Sequence, residues 1–149
     1  MNRNPYSVHP GFLRMYQEAK DLSRETAAYL EAAPGYVDAQ FSGPRADLRP
    51  IYDAILEFAF GLGQDVKVSP GKTIIPFYRK HVFAQVKATT RTRVDLGFCL
   101  KGVKPTAILV STGGEAKGDR ITHRIGLSSV KEFDKEAKDW MRKAYNLDI

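Results

Sequence analysis

The apolar side chains of this chain change their spacing twice, from helical to alternating and back to helical, and few architectures satisfy that order. Leu48, Ile51, Tyr52, Ile55, Phe58, Ala59 and Leu62 recur at helical spacing, with Asp53 and Glu57 turned away from the stripe. Asp47 is read as the N-cap, Pro50 suits a first turn where no helical N–H partner is needed, and Gly61 and Gly63 mark the end. From residue 66 the period drops to two. Residues 66–68, 73–80, 82–88, 92–100, 107–111 and 120–127 are strand candidates, with Val94, Leu96, Phe98 and Leu100 opposed to Arg93, Asp95, Gly97 and Cys99 as the clearest alternation. Helical spacing returns at Val130, Phe133, Ala137, Trp140, Met141 and Ala144. There Ser129 and Glu132 fit a capping box, and Asp134–Lys138 and Asp139–Lys143 are spaced as i,i+4 pairs.

Short connections between strands favour antiparallel pairing. The expected fold is therefore α+β: a mostly antiparallel sheet of four or five strands with the helices packed on one face. Trp140, Ile55, Leu96 and Phe98 belong to the expected core. Residues 12–32 are read as a further helix, with Phe12, Tyr16, Ala19, Ser23, Ala27 and Leu30 at helical spacing and Pro34-Gly35 ending it. Residues 36–45, with Gly43-Pro44, are read as a linker. The expected organisation is an N-terminal helical arm and linker, 1–45, followed by an α+β domain, 46–149.

Composition narrows the setting. With 149 residues and 43% hydrophobic content, the chain has the material for one ordinary core. No apolar run approaches the ~18–20 residues of a membrane span, and residues 1–5 lack the apolar stretch of a signal peptide. Cys99, the single cysteine, sits in an apolar stretch and reads as a small core residue. A cytoplasmic protein with no membrane partner is expected. The net charge of +6 is uneven: residues 65–131 carry 13 Lys or Arg and 4 acids, leaving −3 on the remainder. Such a basic middle either keeps a surface soluble or attracts anions.

Several local patterns imitate catalytic or ligand motifs. Gly71-Lys72-Thr73 matches the end of a phosphate-binding P-loop, but Val66 stands where the first glycine belongs and a strand follows instead of a helix. Asp65 with Gln85 and Lys87 is spaced like a metal nuclease centre, but Gln85 replaces the second acid that a hard cation needs. Gly113, Gly114 and Gly118 suit either an anion nest or, more simply, a flexible loop. His9, His81 and His123 are far apart and no metal-ligand set is spaced among them. His123 lies on the apolar side of its strand, as a hydrogen-bonded structural histidine would. Its alternative is an acid or base.

Strand alternation yields the main constellation. If Val94, Leu96 and Phe98 face the helices, Arg93 and Asp95 face outward, and Arg124 joins them. Lys80, Gln85 and Lys87 share that face in this reading, with Tyr78 and Phe83 between them. Cations interleaved with aromatic rings suit a phosphorylated or planar anionic ligand. The competing explanation is an Arg–Asp–Arg network that only stabilises adjacent strands.

Lys72-Thr73, Arg79-Lys80 with Phe83-Ala84, residues 92–97 (TRVDLG), residues 122–125 (THRI), and the ending from Phe133-Asp134 through Trp140 to Ala144-Tyr145 occur in a characteristic order. From about residue 47 to 145 the chain resembles an uncharacterised family of small bacterial α+β domains, a domain of unknown function. The resemblance implies a domain boundary and positions of interest, and no activity. The expected function is a non-catalytic binding module for a phosphorylated or nucleic-acid ligand, using Tyr78, Lys80, Phe83, Lys87, Arg93, Asp95 and Arg124, without cofactor or metal. The alternatives are a small enzyme with its site around Arg93, Asp95, His123 and Arg124, and a protein-interaction or homodimerisation domain using residues 12–32.

Overall fold

A computed structural model of the chain describes residues 10, 11, 14, 15, 17, 18 and 24–149, and the first six of these are helical. The stripe read through Phe12, Tyr16, Ala19 and Ser23, the side chains of Ala27 and Leu30, and His9 lie outside the described residues. Helix α1 is Arg24–Gln40, a 3-10 segment Gly43–Leu48 follows, and α2 is Arg49–Leu62. The strands are β1 (Lys67–Val68), β2 (Ile75–Tyr78), β3 (Val82–Ala88), β4 (Val94–Phe98), β5 (Val110–Ser111) and β6 (His123–Leu127). One helical turn, α3 (Gly114–Lys117), precedes β6, and α4 (Lys135–Leu147) closes the chain.

Among the described residues the sheet has six strands in the order β1-β2-β3-β4-β6-β5, and every pairing is antiparallel. The fold is thus α+β as expected, but with six strands rather than four or five, the edge positions being taken by the two-residue strands β1 and β5. The β1 edge is covered. Its outward Val68 N–H approaches the Met15 Sδ and its Val66 carbonyl accepts from Arg14, so the N-terminal helical residues occupy groups that would otherwise pair with another chain.

Register fixes the two faces. Val94, Leu96 and Phe98 lie opposite Ala88, Val86 and Ala84 on β3, and opposite Leu127, Ile125 and His123 on β6. All of these except Ala88 are buried, and α4 packs over β3 and β4 on this side. Helix α2 packs on α4, with Phe58 edge-on to Phe133. Ile55, Leu96 and Phe98 are core, as the spacing predicts. Trp140 is only half-buried at the core margin, with its indole N–H on Glu136, one turn back on the same helix.

Four local readings are corrected. Helix α1 runs through Pro34 to Gln40, where a stop and a linker were expected. Proline removes one backbone bond, but Ala33, Val37 and Phe41 are all buried at helical spacing and Phe41 stacks on Tyr52 of α2. Packing therefore carries the helix past the breaker. Asp47 is not a cap, because the 3-10 segment runs directly into α2 with Leu48 at the cap position. At the other end the Ser129–Glu132 box encloses one 3-10 turn, in which Glu132 accepts from the Ser128 N–H and Val130 stays exposed. The N-cap of α4 is Asp134, which accepts from Ala137 N–H. Finally, Asp139 pairs with Lys135 and Arg142, while Lys143 lies over the Trp140 ring. No helix among the described residues is long and apolar enough to cross a membrane.

Candidate functional site

On the face away from the helices, the same register sets Lys87 opposite Asp95, Asp95 opposite Gly126, and Gly97 opposite Arg124. Asp95 is the hub. Its side chain is only 14% exposed, and Arg93 Nε approaches Oδ1 at 3.0 Å while Arg124 Nη1 reaches the same oxygen at 3.5 Å. Thr89 donates its hydroxyl to Oδ2 at 2.5 Å. Gly126 makes the arrangement fit, since a Cβ there would stand 3.0 Å from Arg93 Cδ. The arginine stem therefore lies across a strand position that has no side chain.

The expected Arg–Asp–Arg network is present, but it does not use up the charge. One carboxylate serves two guanidinium groups, each more than a third exposed. Lys87 is exposed and forms no ion pair among the described residues, although Asp95 is its cross-strand neighbour. The face therefore carries a surplus of about two positive charges around a shielded acid.

Of the other expected members, Gln85 is half-buried on this face opposite Gly97, and Tyr78 is half-buried at the β1–β2 end, opposite Lys67. Phe83 is not on the face. The β2–β3 register slips between Phe77 and Tyr78, so that Ala84 faces Phe77 while Val82 faces Tyr78, leaving Phe83 as the extra residue of a bulge. The bulge turns Phe83 inward, where it is fully buried and edge-on to Tyr145 of α4. Lys80 sits in the turn before β3, where its backbone N–H donates to Asp148. Simple alternation cannot foresee either placement.

His123 stands on the opposite side of the sheet from Asp95, opposite Phe98. Its Nε2 bonds the Val103 carbonyl at 2.9 Å, so Nδ1 accepts from the Thr122 hydroxyl at 2.7 Å. Both ring nitrogens are occupied and the ring is buried, as a structural histidine requires. The four residues of the alternative enzyme site are therefore split between two faces.

The other imitations resolve likewise. Gly71-Lys72-Thr73 forms the tip of the β1–β2 hairpin, where Gly71 N–H bonds the Ile74 carbonyl, with no helix behind it. Gly113 and Gly118 take left-handed φ angles of 78° and 75° on either side of α3, so this segment is an ordered turn. Cys99 is half-buried at the end of β4, less enclosed than its apolar neighbours suggest.

Two carboxylates have partners that sequence reasoning did not foresee. Asp65 accepts from the Tyr145 hydroxyl at 2.5 Å and from Arg79 Nε at 2.9 Å, and the Arg79 guanidinium lies 4.3 Å from the Tyr145 ring centre. The Tyr145 hydroxyl above all holds the Asp65 carboxyl below its usual range; burial pushes it up, and Arg79 adds to the lowering. Burial, with Asp65 beside it, pushes the Tyr145 hydroxyl up. Asp65 is thus committed to α4 and cannot join Gln85 and Lys87 as a metal centre. Asp148 is nearly buried and accepts from the backbone of Lys80 and His81 and from His81 Nδ1 at 2.7 Å, with Arg120 at 3.5 Å. Burial pushes its carboxyl up, but the bonds from His81 and the two backbone donors outweigh this and hold it below the usual range. No group of three His, Cys, Asp or Glu residues among those described is placed to hold a metal ion.

Beyond the sheet face, a cleft of about 270 Å³ opens at the end of β3. It is lined by Gln40 of α1, Arg45 of the 3-10 segment, Lys72 and Thr73 of the hairpin tip, and Lys87 and Thr89. The Gln40 amide ties α1 to the hairpin by donating to the carbonyls of Gly71 and Ile74, at 2.6 and 3.4 Å.

No curated protein and no solved structure matches the chain. A family model matches residues 37–148, which takes in the last turn of α1, the Asp95 network on β3–β4–β6 and the whole of α4. With that span covering most of its length, the chain belongs to the family described as Domain of unknown function (DUF5655).

Proposed function

We propose that this protein is a non-catalytic binding module that holds a phosphorylated ligand or a single-stranded nucleic acid on the outward face of β3, β4 and β6. The observation that supports it is the charge imbalance at Asp95: Arg93, Arg124 and Lys87 surround one carboxylate, and none of the three has another acidic partner among the described residues. Thr89 holds the Asp95 carboxylate, which in turn sets the two guanidinium groups, and preset arginines bind phosphate in bidentate fashion. A cytoplasmic setting is proposed with it, where a single free cysteine such as Cys99 is ordinary.

The test is a titration of fluorescent single-stranded DNA at two salt concentrations against the wild type and a Lys87→Gln, Arg93→Gln, Arg124→Gln variant. The wild type is expected to bind at low salt. The variant is expected to keep its fold, bind more weakly and lose about 2 from the slope of log K against log salt, since each neutralised phosphate contributes about 0.7. A wild type that binds no DNA at low salt removes nucleic acid. A variant that melts early but binds as before reduces the network to a structural role.

A further inference from the structure

Three cations meet in the cleft at the end of β3, and they come from segments far apart in the sequence. Arg45 is on the 3-10 segment, Lys72 on the hairpin tip and Lys87 on β3, and no carboxylate lines the cleft. None of the three forms an ion pair among the described residues, where Arg14, Arg49, Lys67, Arg79 and Arg120 all do. Like charges drawn together around a concavity repel unless an anion enters. Gln40 holds the cleft wall in place: it is 9% exposed, and its amide nitrogen donates to the carbonyls of Gly71 and Ile74, which ties α1 to the hairpin tip that carries Lys72.

Size limits the occupant. At about 270 Å³ the cleft lies just below the ~300 Å³ at which pockets for whole small molecules begin, so it suits one compact anionic group. Lys87 belongs both to the cleft and to the outward face, and Thr89 lines the cleft while bonding Asp95. A ligand lying on the face would therefore reach the cleft with its end.

We infer that the cleft of Arg45, Lys72 and Lys87 is a terminal-phosphate subsite, which takes the dianionic phosphate end of the ligand whose body lies along Arg93, Asp95 and Arg124. This rests on the proposed function for the body of the ligand, while the subsite has its own residues and its own probe.

The experiment compares one short deoxyoligonucleotide with and without a terminal phosphate, together with inorganic pyrophosphate, against the wild type and Arg45→Gln, Lys72→Gln. Both changed side chains are exposed, and near-UV circular dichroism checks that the variant stays folded. The phosphorylated strand is expected to bind about tenfold tighter or more, as charge-assisted bonds imply. The variant should erase that difference and still bind the unphosphorylated strand, and pyrophosphate should compete with the phosphorylated strand alone. Equal binding of the two strands overturns the subsite and leaves the face reading intact. If neither strand binds, the face reading fails by itself: pyrophosphate binding that needs Arg45 and Lys72 still upholds the subsite, and its absence overturns both. Should the variant unfold, the pyrophosphate competition on the wild type decides alone.

Discussion

The two faces of β4 are written by one alternating stretch of sequence, yet they obey different rules. On the inner face Val94, Leu96 and Phe98 are wholly buried against β3, β6 and α4, and the polar residue among their cross-strand partners, His123, has both nitrogens bonded. On the outer face Asp95 is gripped by more positive charge than it can neutralise. A core gains by leaving no polar group unpaired, whereas a binding surface needs groups whose partners are still to come. The same contrast separates the two shielded acids. Asp148 accepts from two backbone N–H groups and from His81, so its surroundings are complete. Asp95 organises side chains that point to solvent.

The largest expected effect tests how far the inner face depends on the N-terminal segment. A fragment of residues 46–149 loses Ala33, Val37 and Phe41, all buried in the common core. Phe41 alone stacks on Tyr52, and removing a buried phenylalanine costs about 3–5 kcal/mol. The fragment is expected to fold with a much lower melting temperature. A fragment without near-UV circular dichroism would show that α1 completes the core. Phe98→Ala, on the inner face itself, should cost a similar ~3–5 kcal/mol by denaturant unfolding, while Arg93→Gln, just before β4 with its side chain on the outer face, should cost ~1 kcal/mol or less.

Asp148→Asn comes next. Hydrogen bonds to a charged group are worth about 1.5–3 kcal/mol, and the amide loses that charge while keeping the shape. The wild-type carboxyl is held below its unfolded value, so its contribution is complete above about pH 3.9 and disappears as the pH falls through the lower folded value. Melting curves between neutral and acid pH should therefore converge for wild type and variant at the acid end. Parallel curves would mean that the carboxylate is not what holds the turn at His81.

Much of this architecture was legible in the sequence, and what was not has identifiable causes. Residues 82–88 form β3 as spaced, because alternation reports a half-buried strand directly. The outward set of Arg93, Asp95 and Arg124 followed from the same rule. Phe83 escaped it because a bulge breaks alternation by one residue, and nothing in the local sequence marks the slip. The continuation of α1 past Pro34 and the late start of α4 were hidden because packing of Val37 and the capping side chain of Asp134 overrule local signals. The Asp65–Tyr145 bond and the cleft at Lys72 join residues separated along the chain by whole elements. Such meetings exist only after folding.

A substitution of opposite sign at the hub tests the surplus-charge account most directly. Asp95→Asn keeps the shape of the side chain and removes the single negative charge facing Arg93, Arg124 and Lys87, at a cost of about 1 kcal/mol in stability for the weakened bonds. Lys87→Gln removes one positive charge from the opposing position. Measured together by single-stranded DNA titration at low salt, Asp95→Asn should bind more tightly than wild type despite being less stable, and with a steeper salt slope, while Lys87→Gln should bind more weakly with a shallower one. If both variants bind like wild type, or if Asp95→Asn weakens binding in step with its loss of stability, the outer face is a structural network and the account of it as a binding surface is wrong.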